Sequence, residues 1–399
     1  MNRIRFLKNI IKEYSWGSYT AIPKLLGIKP PYDKPQAELW MGAHPSGSSM
    51  IRTEVGWENL SGLIRKYPGK ILGKNCAKKY GEELPFLFKV IAASEPLSIQ
   101  AHPNRAMAKE GFMRENRQGI PFDSSKRNYK DENQKPELVC ALTDFEVLCG
   151  FRKVSDIVVL FKKVCPKSLA KAITALGNKP DSSGLKIFFS YLMRMGSDRK
   201  KRVLSEAAGN VRKFTYDEPA YGRVAQFIEK YPSDIGTLSP LYLNLFRLNP
   251  GQAIFLPAGL LHAYLEGVAL EVMAGSDNVI RGGLTQKHID LRELLNIVNF
   301  RDRRVKVILP VKKRDEYIYK TPAREFTLSK ISIDRGRTYA GSQRRNAEII
   351  LCTEGRAVIT GSEGDPLNMS QGKSVIVPAS VKSYRIDGEA ILYKARTPL

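Results

Sequence analysis

The 399-residue chain lacks any run of the ~20 apolar residues that a membrane-spanning helix requires. Its longest apolar stretch, residues 253–274, is interrupted by one proline, one histidine and two glutamates. The first 18 residues are basic but contain no continuous apolar segment, so they do not match a secretory signal peptide. These absences predict a soluble, cytoplasmic protein.

Cysteine is also scarce, and no low-complexity tract is present. The cysteines are odd in number and scattered, without a Cys-x-x-Cys pair: Cys76, Cys140, Cys149, Cys165 and Cys352. This usage argues against a disulfide-stapled secreted protein and is typical of buried thiols in a reducing compartment. The composition, with 43% hydrophobic and 26% charged residues, is that of a globular protein. A chain of this length is expected to form two or three domains.

Acidic residues are few, because 40 Asp and Glu stand against 64 Lys and Arg, which gives a formal net charge of +24. Basic clusters occur at residues 199–202, 301–306 and 312–314. A charge of this size predicts affinity for anions, including nucleic acid. No RNA- or DNA-binding motif accompanies the clusters, so we favour a solvated basic surface. A basic nucleic-acid-binding protein remains an alternative.

Only four histidines are present, and two of them lie in fragments that share one chemistry. The fragments are SIQAHP at 98–103, KPE at 135–137, HAY at 262–264 and SDNVIR at 276–281. Together they offer four side chains that can bind a divalent metal: Gln100, His102, Glu137 and His262. Near them in the sequence are groups that can bind an anion or move a proton: Lys135, Glu271, Asp277, Arg281 and Lys287. The mixture predicts a metal site that acts on a charged polyol.

The pattern of strands and helices changes along the chain. Residues 1–150 contain short β-like runs, of which 86–92 is rich in strand formers and 97–101 alternates. Residues 152–235 show helical spacing, as in Leu185, Phe188, Phe189 and Leu192. Strand patterns resume at 241–248, 252–257 and 269–273. Glu271 stands among apolar neighbours, and it is either a pocket residue or part of the polar face of an edge strand.

An internal repeat indicates two copies of one β-barrel module. The segment GQAIFLPA at 251–258 resembles GKSVIVPA at 372–379, with an offset of 121 residues. In the second copy the position equivalent to His262 is Ser383, and residues 323–399 contain no histidine. We therefore expect the C-terminal barrel to lack a metal and to act as a packing support.

The candidate ligands are compatible with one catalytic metal. Gln100 and His102 are two residues apart, so on a strand both side chains point to the same side, together with Ser98. Glu137 and His262 come from distant segments, and a barrel interior can bring them together. Two imidazoles, a carboxylate and an amide oxygen suit Zn²⁺, with Mn²⁺, Fe²⁺ or Co²⁺ as substitutes, and leave room for a substrate.

Longer motifs give these residues a family context. YSWGS at 14–18, AELWMGAHP at 37–45, the 97–103 segment, YKDENQKPE at 129–137 and residues 259–285 occur in an order that resembles type I mannose-6-phosphate isomerases. The resemblance covers roughly residues 10–150 and 240–300. It implies a mainly β fold with a helical insertion: a double cupin with a catalytic jelly-roll barrel, a degenerate second barrel and an α-helical domain. The expected division is 1–151 and 237–310 for the catalytic cupin, 152–236 for the helical insertion and 311–399 for the C-terminal metal-free barrel.

The resemblance also implies roles for individual residues. The zinc ligands, one ion per chain, would be Gln100, His102, Glu137 and His262, and Arg281 matches the active-site arginine of the family. Other positions match residues that line the family's pocket: Lys89, Ser98, Lys135, Tyr264, Glu271, Asp277 and Lys287. The chain departs from the common pattern at Asn104-Arg105, Gln134 and Gln286, and none of these departures removes a ligand. We expect a monomer with a sugar phosphate substrate and no membrane partner.

The implied reaction interconverts mannose 6-phosphate and fructose 6-phosphate through a metal-stabilised cis-enediol. A base moves the proton between C2 and C1, and the candidates are Glu271 and Lys135. A lysine can act as such a base only if neighbouring cations lower its pKa. Arg281 could stabilise the enediolate or bind the phosphate, for which Ser98, Lys89 and Lys287 are further candidates.

Two further interpretations of the same sequence remain open. A cupin that binds a sugar or another anion without catalysis would keep the barrel and lose turnover, although the presence of all four ligands and Arg281 argues against it. An Fe²⁺ dioxygenase would require a histidine-rich ligand set, which Gln100 fits poorly.

Overall fold

The computed structural model describes residues 2–165, 167–302 and 305–399. Residues 303 and 304, which belong to one of the three basic clusters, lie outside these ranges. Among the described residues, no helix has both the length and the apolar character to cross a bilayer.

The N-terminal third contains most of the short strands. They are β1 (Arg5–Lys8), β2 (Ile10–Lys12), β3 (Glu38–Met41), β4 (Ala43–His44), β5 (Gly47–Ser48), β6 (Met50–Thr53), β7 (Gly56–Asn59), β8 (Phe86–Ala93), β9 (Ile99–Ala101), β10 (Glu137–Ala141) and β11 (Phe145–Phe151). The helices between them are α1 (Ala21–Leu26), α2 (Leu60–Lys66), α3 (Pro68–Ile71), α4 (Lys74–Tyr80) and α5 (Arg105–Arg117). The predicted strand at 86–92 is confirmed as β8, and all eight of its residues are buried.

A block of helices follows, as the apolar spacing predicts. It comprises α6 (Val154–Val164), α7 (Ala170–Asn178), α8 (Ser182–Met193), α9 (Ser197–Val211), α10 (Pro219–Lys230) and α11 (Ser239–Tyr242). In α8 the residues at helical spacing, Leu185, Phe188, Phe189 and Leu192, are all buried. Asp181 caps this helix by accepting a hydrogen bond from the backbone N–H of Gly184 at 2.8 Å.

The chain then returns to strands with β12 (Leu243–Leu248), β13 (Ala253–Leu256), β14 (His262–Ala274) and β15 (Ile280–Gly283), followed by helix α12 (Leu291–Ile297). The prediction of a strand over 241–248 is wrong at its start, because Leu241 and Tyr242 belong to α11. Pro240 occupies the first turn of that helix, a position that favours helix initiation. The predicted strand at 269–273 is part of the much longer β14.

The C-terminal region is built from strands alone among its described residues. These are β16 (Val311–Lys313), β17 (Glu316–Tyr319), β18 (Thr327–Ile333), β19 (Thr338–Ala340), β20 (Glu348–Gly361), β21 (Leu367–Ser370), β22 (Ser374–Val377) and β23 (Tyr384–Arg396). The internal repeat corresponds to β13 and β22. Each follows a turn glycine in the left-handed region, Gly251 at φ 84° and Gly372 at φ 82°, which explains why glycine begins both copies.

Two antiparallel β-barrels form, and they pack against each other. One contains the strand order β12-β11-β14-β8-β3-β2, and the other contains β16-β17-β18-β23-β20-β22-β1. Alternate residues of each strand fill the two interiors, as Val139 and Ile254 do in the first barrel and Ile350 and Val375 in the second. The opposite faces of the same strands form one shared apolar layer between the barrels. The fold is therefore the expected mainly β, double-cupin architecture with a helical insertion.

The first strand crosses between the two sequence regions. β1 is antiparallel to β22, with Arg5 opposite Ile376, and it also pairs with β6. The N-terminal strand thus completes the sheet of the C-terminal barrel. The division of the chain into four sequence segments stays a prediction, and this pairing shows that hydrogen bonds cross its boundaries.

Candidate active site

Three of the four predicted ligands meet at one buried point. Glu137 begins β10, His262 begins β14, and His102 directly follows β9, so all three lie at strand ends that open into the same barrel mouth. The Nε2 atom of His102 lies 3.4 Å from Oε1 of Glu137, and that of His262 lies 3.3 Å from Oε2. Each of the three residues is 2% exposed. Their possible ligand atoms all lie within 4.8 Å of one another.

The hydrogen bonds of the two imidazoles leave their inner nitrogens available. Nδ1 of His102 lies 2.7 Å from the carbonyl oxygen of Asn278, and Nδ1 of His262 lies 2.9 Å from that of Leu260. Each Nδ1 therefore carries the proton, because a carbonyl can only accept, and each Nε2 presents a lone pair. Nε2 of His102 is buried and has no hydrogen-bond partner. Lone pairs directed at a carboxylate require a cation between them, so the donor set fits a divalent metal.

The electrostatics of the cluster agree with this reading. Burial alone would raise the pKa of Glu137, but Lys135 and His102 outweigh it and hold the pKa well below its ordinary value. Burial lowers the pKa of His102 to about 4, which keeps the ring neutral at pH 7. An ionised carboxylate and a neutral imidazole are the protonation states that metal ligands require.

Gln100 stands beside the cluster. On β9 it is the residue opposite both His262 of β14 and Arg281 of β15. Paired residues in a sheet carry their side chains on the same face, so these three side chains lie side by side. Gln100 also lines the cavity in front of the cluster.

A second group of charged residues lies deeper in the barrel, across β8 and β14. Lys89 and Glu271 are opposite each other, with Nζ of Lys89 2.9 Å from Oε2 of Glu271. The hydroxyl of Tyr264 donates to Oε1 of the same carboxylate at 2.6 Å. Glu271 is 3% exposed and lies on a central strand, so it is a pocket residue. Lys135 is near the first group instead, with its Nζ 3.2 Å from Oε1 of Glu137.

These residues open onto a cavity of about 700 Å³. Its lining includes every predicted site residue except His102, namely Lys89, Ser98, Gln100, Lys135, Glu137, His262, Tyr264, Glu271, Asp277, Arg281 and Lys287. Asp277 lies at the rim, where its carboxylate accepts a hydrogen bond from Ser46 at 3.1 Å and lies 3.5 Å from His44. Lys287 is exposed at the same rim. The sequence motifs therefore converge on one chamber.

Arg281 differs from the two buried lysines that line the cavity. Lys89 and Lys135 each contact a buried carboxylate, whereas no ion pair with a described residue forms at Arg281. Burial lowers the pKa of its guanidinium, with no carboxylate to oppose the shift. A partly buried guanidinium without a counter-ion is suited to bind an anionic ligand.

Sequence reasoning missed three residues that shape the site. The side chain of Asn278, which is fully buried, donates to the carbonyl oxygens of Asp131 and Asn133 at 2.9 Å, while its backbone carbonyl faces His102. Glu38 and Trp40 line the cavity wall next to Lys89. All three lie within the motifs AELWMGAHP and SDNVIR, but the sequence alone does not show that Asn278 orients His102 or that Glu38 and Trp40 lie beside Lys89.

One departure from the family pattern points away from the cavity. The side-chain amide of Gln134 donates to Oε1 of Glu325 at 3.0 Å, which ties the loop before Lys135 to the C-terminal region. Gln134 does not line the main cavity. Any effect of this position on the site must therefore pass through the loop that carries Lys135.

Comparisons with known proteins agree with this geometry. Residues 4–154 match the family model of the phosphomannose isomerase type I catalytic domain, and residues 316–396 match that of the mannose-6-phosphate isomerase cupin domain. The chain is 42% identical to the mannose-6-phosphate isomerase of Salmonella typhimurium, over 98% of this chain and 99% of that protein. It is 33% identical to the Homo sapiens enzyme of the same name, over 95% and 94% of the two chains.

Solved structures show the same similarity in three dimensions. A crystal structure of mannose 6-phosphate isomerase bound with zinc and yttrium superposes with a TM-score of 0.92 at 40% identity. The match covers 99% of this chain and 100% of that one. A zinc-bound structure described as the holo form gives a TM-score of 0.91, also at 40% identity.

Proposed function

The chain belongs to the type I phosphomannose isomerase family, and from that premise we propose that it interconverts mannose 6-phosphate and fructose 6-phosphate with one bound Zn²⁺. The observation that carries the proposal is the buried group of His102, Glu137 and His262, which opens into a cavity lined by cations. The proton would move between C2 and C1 of the open-chain sugar through a cis-enediol.

His102, Glu137, His262 and Gln100 would hold the metal. A Zn²⁺ held by these residues would supply Lewis-acid stabilisation of the negative charge that develops during the reaction, worth several kcal/mol. The protein contributes fixed ligand orientation, because both imidazoles are locked by carbonyl acceptors at 2.7 and 2.9 Å. It also shields the ligands from bulk solvent, since His102, Glu137 and His262 are each 2% exposed.

Two groups can act as the base. Glu271 is oriented by Lys89 on one oxygen and by Tyr264 on the other, so its carboxylate has a fixed direction. Lys135 lies next to Glu137 and therefore next to the metal position. Exchange of the C2 proton with deuterated water separates them, because only the variant that lacks the base loses exchange. Glu271→Gln and Lys135→Met are the pair to compare.

Arg281 and Lys287 are the best candidates for the phosphate. Both line the cavity, and a phosphate dianion would give the Arg281 guanidinium the counter-ion that the protein does not provide. Ser98 lies in the same wall and can add a hydroxyl donor. Arg281→Ala should keep the metal and lose most of the turnover.

The direct test combines metal analysis with an isomerase assay on purified protein. We expect about one zinc per chain, formation of fructose 6-phosphate from mannose 6-phosphate, loss of activity with a chelator and recovery on adding Zn²⁺. His102→Ala should lose metal and activity together, whereas His288→Ala, which replaces an exposed histidine, is the matched control. Full turnover by the His102→Ala protein with stoichiometric zinc would refute the ligand assignment.

A further inference from the structure

A line of buried polar side chains crosses the cavity wall from β3 to β14. Nε1 of Trp40 donates to Oε2 of Glu38 at 2.5 Å, and the same oxygen lies 3.7 Å from Nζ of Lys89. Lys89 contacts Glu271 at 2.9 Å, and Tyr264 contacts Glu271 at 2.6 Å. All five residues are between 3% and 8% exposed. The metal ligands are not part of this line.

The ammonium of Lys89 is the centre of the line. Burial alone would lower the pKa of Lys89, but Glu271 and Glu38 outweigh it and raise the pKa above its ordinary value, so the group stays charged. Two carboxylates on opposite sides hold a buried ammonium in one place, whereas a single one lets it swing on its flexible stem. The indole N–H of Trp40 fixes the outer carboxylate in turn.

We infer that Glu38 is a positioning residue for isomerisation, which holds Lys89 so that Glu271 keeps the orientation needed at the sugar. The inference rests on the proposed function, because Glu271 is one of its two base candidates. Glu38 acts through Lys89, and it is the only carboxylate besides Glu271 in ion-pair contact with that lysine among the described residues.

A purely structural role must be separated from this one, because the second barrel has a carboxylate at the same register. Trp40 lies opposite Lys89, and Ile318 lies opposite Ser329. Glu38 stands two residues before Trp40, and Glu316 stands two residues before Ile318. The carboxylate of Glu316 lies 2.8 Å from the ammonium of Lys394. A Glu–Lys pair with a buried lysine and a half-buried glutamate therefore also exists in the second barrel, and neither residue lines the cavity. Glu316→Gln is thus a matched control for the loss of such a pair.

The experiment measures kinetics, bound zinc and unfolding for Glu38→Gln, Glu38→Asp and Trp40→Phe in the full-length zinc-loaded protein. We expect kcat for Glu38→Gln to fall roughly 10–100-fold while KM changes by less than about threefold and zinc content stays the same. Glu38→Asp keeps the charge and should recover part of kcat. Trp40→Phe keeps the ring without its N–H and should lose less than Glu38→Gln.

Several results would overturn the inference. Wild-type kcat in Glu38→Gln would show that the carboxylate positions nothing. A raised KM with unchanged kcat would show that Glu38 contacts the substrate directly instead. A loss of kcat that Glu316→Gln reproduces would reduce the effect to destabilisation. Absence of isomerase activity in the wild-type protein would refute the proposed function itself, and this is seen before any variant is compared.

Discussion

The two barrels have a buried glutamate at the same place and neutralise it in different ways. Glu137 of β10 lies opposite Leu256 of β13, and Glu348 of β20 lies opposite Val377 of β22, where 256 and 377 are related by the repeat offset of 121. Glu137 faces two imidazoles and Lys135. Glu348 instead accepts a hydrogen bond from Tyr384 at 2.6 Å and lies 3.4 Å from the ammonium of Lys394.

The buried lysine lies on a different strand in each barrel. In the first barrel Glu271 of β14 lies opposite Lys89 of β8. In the second, Lys394 of β23 lies at the register of Glu271, and its partner across the ladder is Ser329. Lys394 contacts Glu316 at 2.8 Å as well as Glu348, and its side chain is 1% exposed. The ammonium lies where it neutralises both carboxylates.

This difference gives a physical reason for proposing a metal in the first barrel and none in the second. A buried carboxylate needs a cation, and the cation can be an exchangeable ion or a side chain of the protein. The second barrel supplies its own cation, the ammonium of Lys394. At the position equivalent to His262 it has Ser383, and the next residue, Tyr384, donates a hydrogen bond to Glu348. The first barrel leaves Nε2 of His102 without a hydrogen-bond partner, and Glu137 and His262 line an open cavity.

The largest expected effect comes from replacing Glu137 with glutamine, and the same substitution at Glu348 is the comparison. Glu137→Gln should remove zinc and lower kcat by about 10³-fold, since several kcal/mol of barrier reduction are lost. Glu348→Gln should keep zinc and turnover per folded molecule, because its partners are protein side chains. Metal analysis and initial rates of both proteins test the comparison. Loss of zinc in Glu348→Gln would mean that the second barrel also holds a metal.

The second prediction concerns the internal cation of the C-terminal barrel. Lys394→Met removes the ammonium from the half-buried Glu316 and from the buried Glu348, which keeps only Arg345 at 3.7 Å. The protein should therefore lose up to roughly 3–5 kcal/mol of unfolding free energy. Adding Glu348→Gln should restore part of this loss, and urea unfolding measures both. Activity per folded molecule should stay the same. A stability equal to wild type in Lys394→Met would show that the lysine does not serve as the counter-ion.

Sequence reasoning reached the fold and the site motifs but not this network. The helices were predictable because Leu185, Phe188 and Leu192 recur at helical spacing and bury one face. The ligand motifs were singled out by the order of the longer motifs, which resembles type I mannose-6-phosphate isomerases, because four histidines alone would not mark His102 and His262. The role of Lys394 was not predictable, because in a sequence with 64 lysines and arginines nothing distinguishes one buried lysine from the many on the surface. Burial and the strand register reveal its role.

Long-range pairing was equally hidden from sequence. The pairing of β1 with β22 joins residues about 370 positions apart, and local periodicity carries no information about the partner of a strand. The start of β12 was predicted too early, since Leu241 and Tyr242 alternate like a strand yet follow a proline that favours a helical turn. The roles of the individual site residues stay predictions until the variants are measured.

The third prediction uses pH to test the Glu316–Lys394 pair. Burial would raise the pKa of Glu316, but Lys394 outweighs it, so the folded-state pKa lies below the ordinary value of 4.5. A depressed carboxyl pKa stabilises the folded protein above the unfolded-state pKa, and this contribution is lost as pH falls through the folded-state value. The wild-type protein should therefore lose stability on acidification below about pH 5 more steeply than Glu316→Gln. Urea unfolding at a series of pH values measures the two slopes, and equal slopes would contradict the pair.

The smallest effect should come from the two tyrosines whose hydroxyls donate to buried glutamates at 2.6 Å, Tyr264 to Glu271 and Tyr384 to Glu348. Phenylalanine keeps the ring and removes one charge-assisted hydrogen bond, worth about 1.5–3 kcal/mol. In Tyr384→Phe this loss should appear only as reduced stability, because Lys394 still neutralises Glu348. In Tyr264→Phe it should also lower kcat, since Glu271 loses one of the two contacts that orient it. Paired measurements of kcat and urea midpoint test this, and equal kcat losses in both variants would show that the two barrels are not functionally separate.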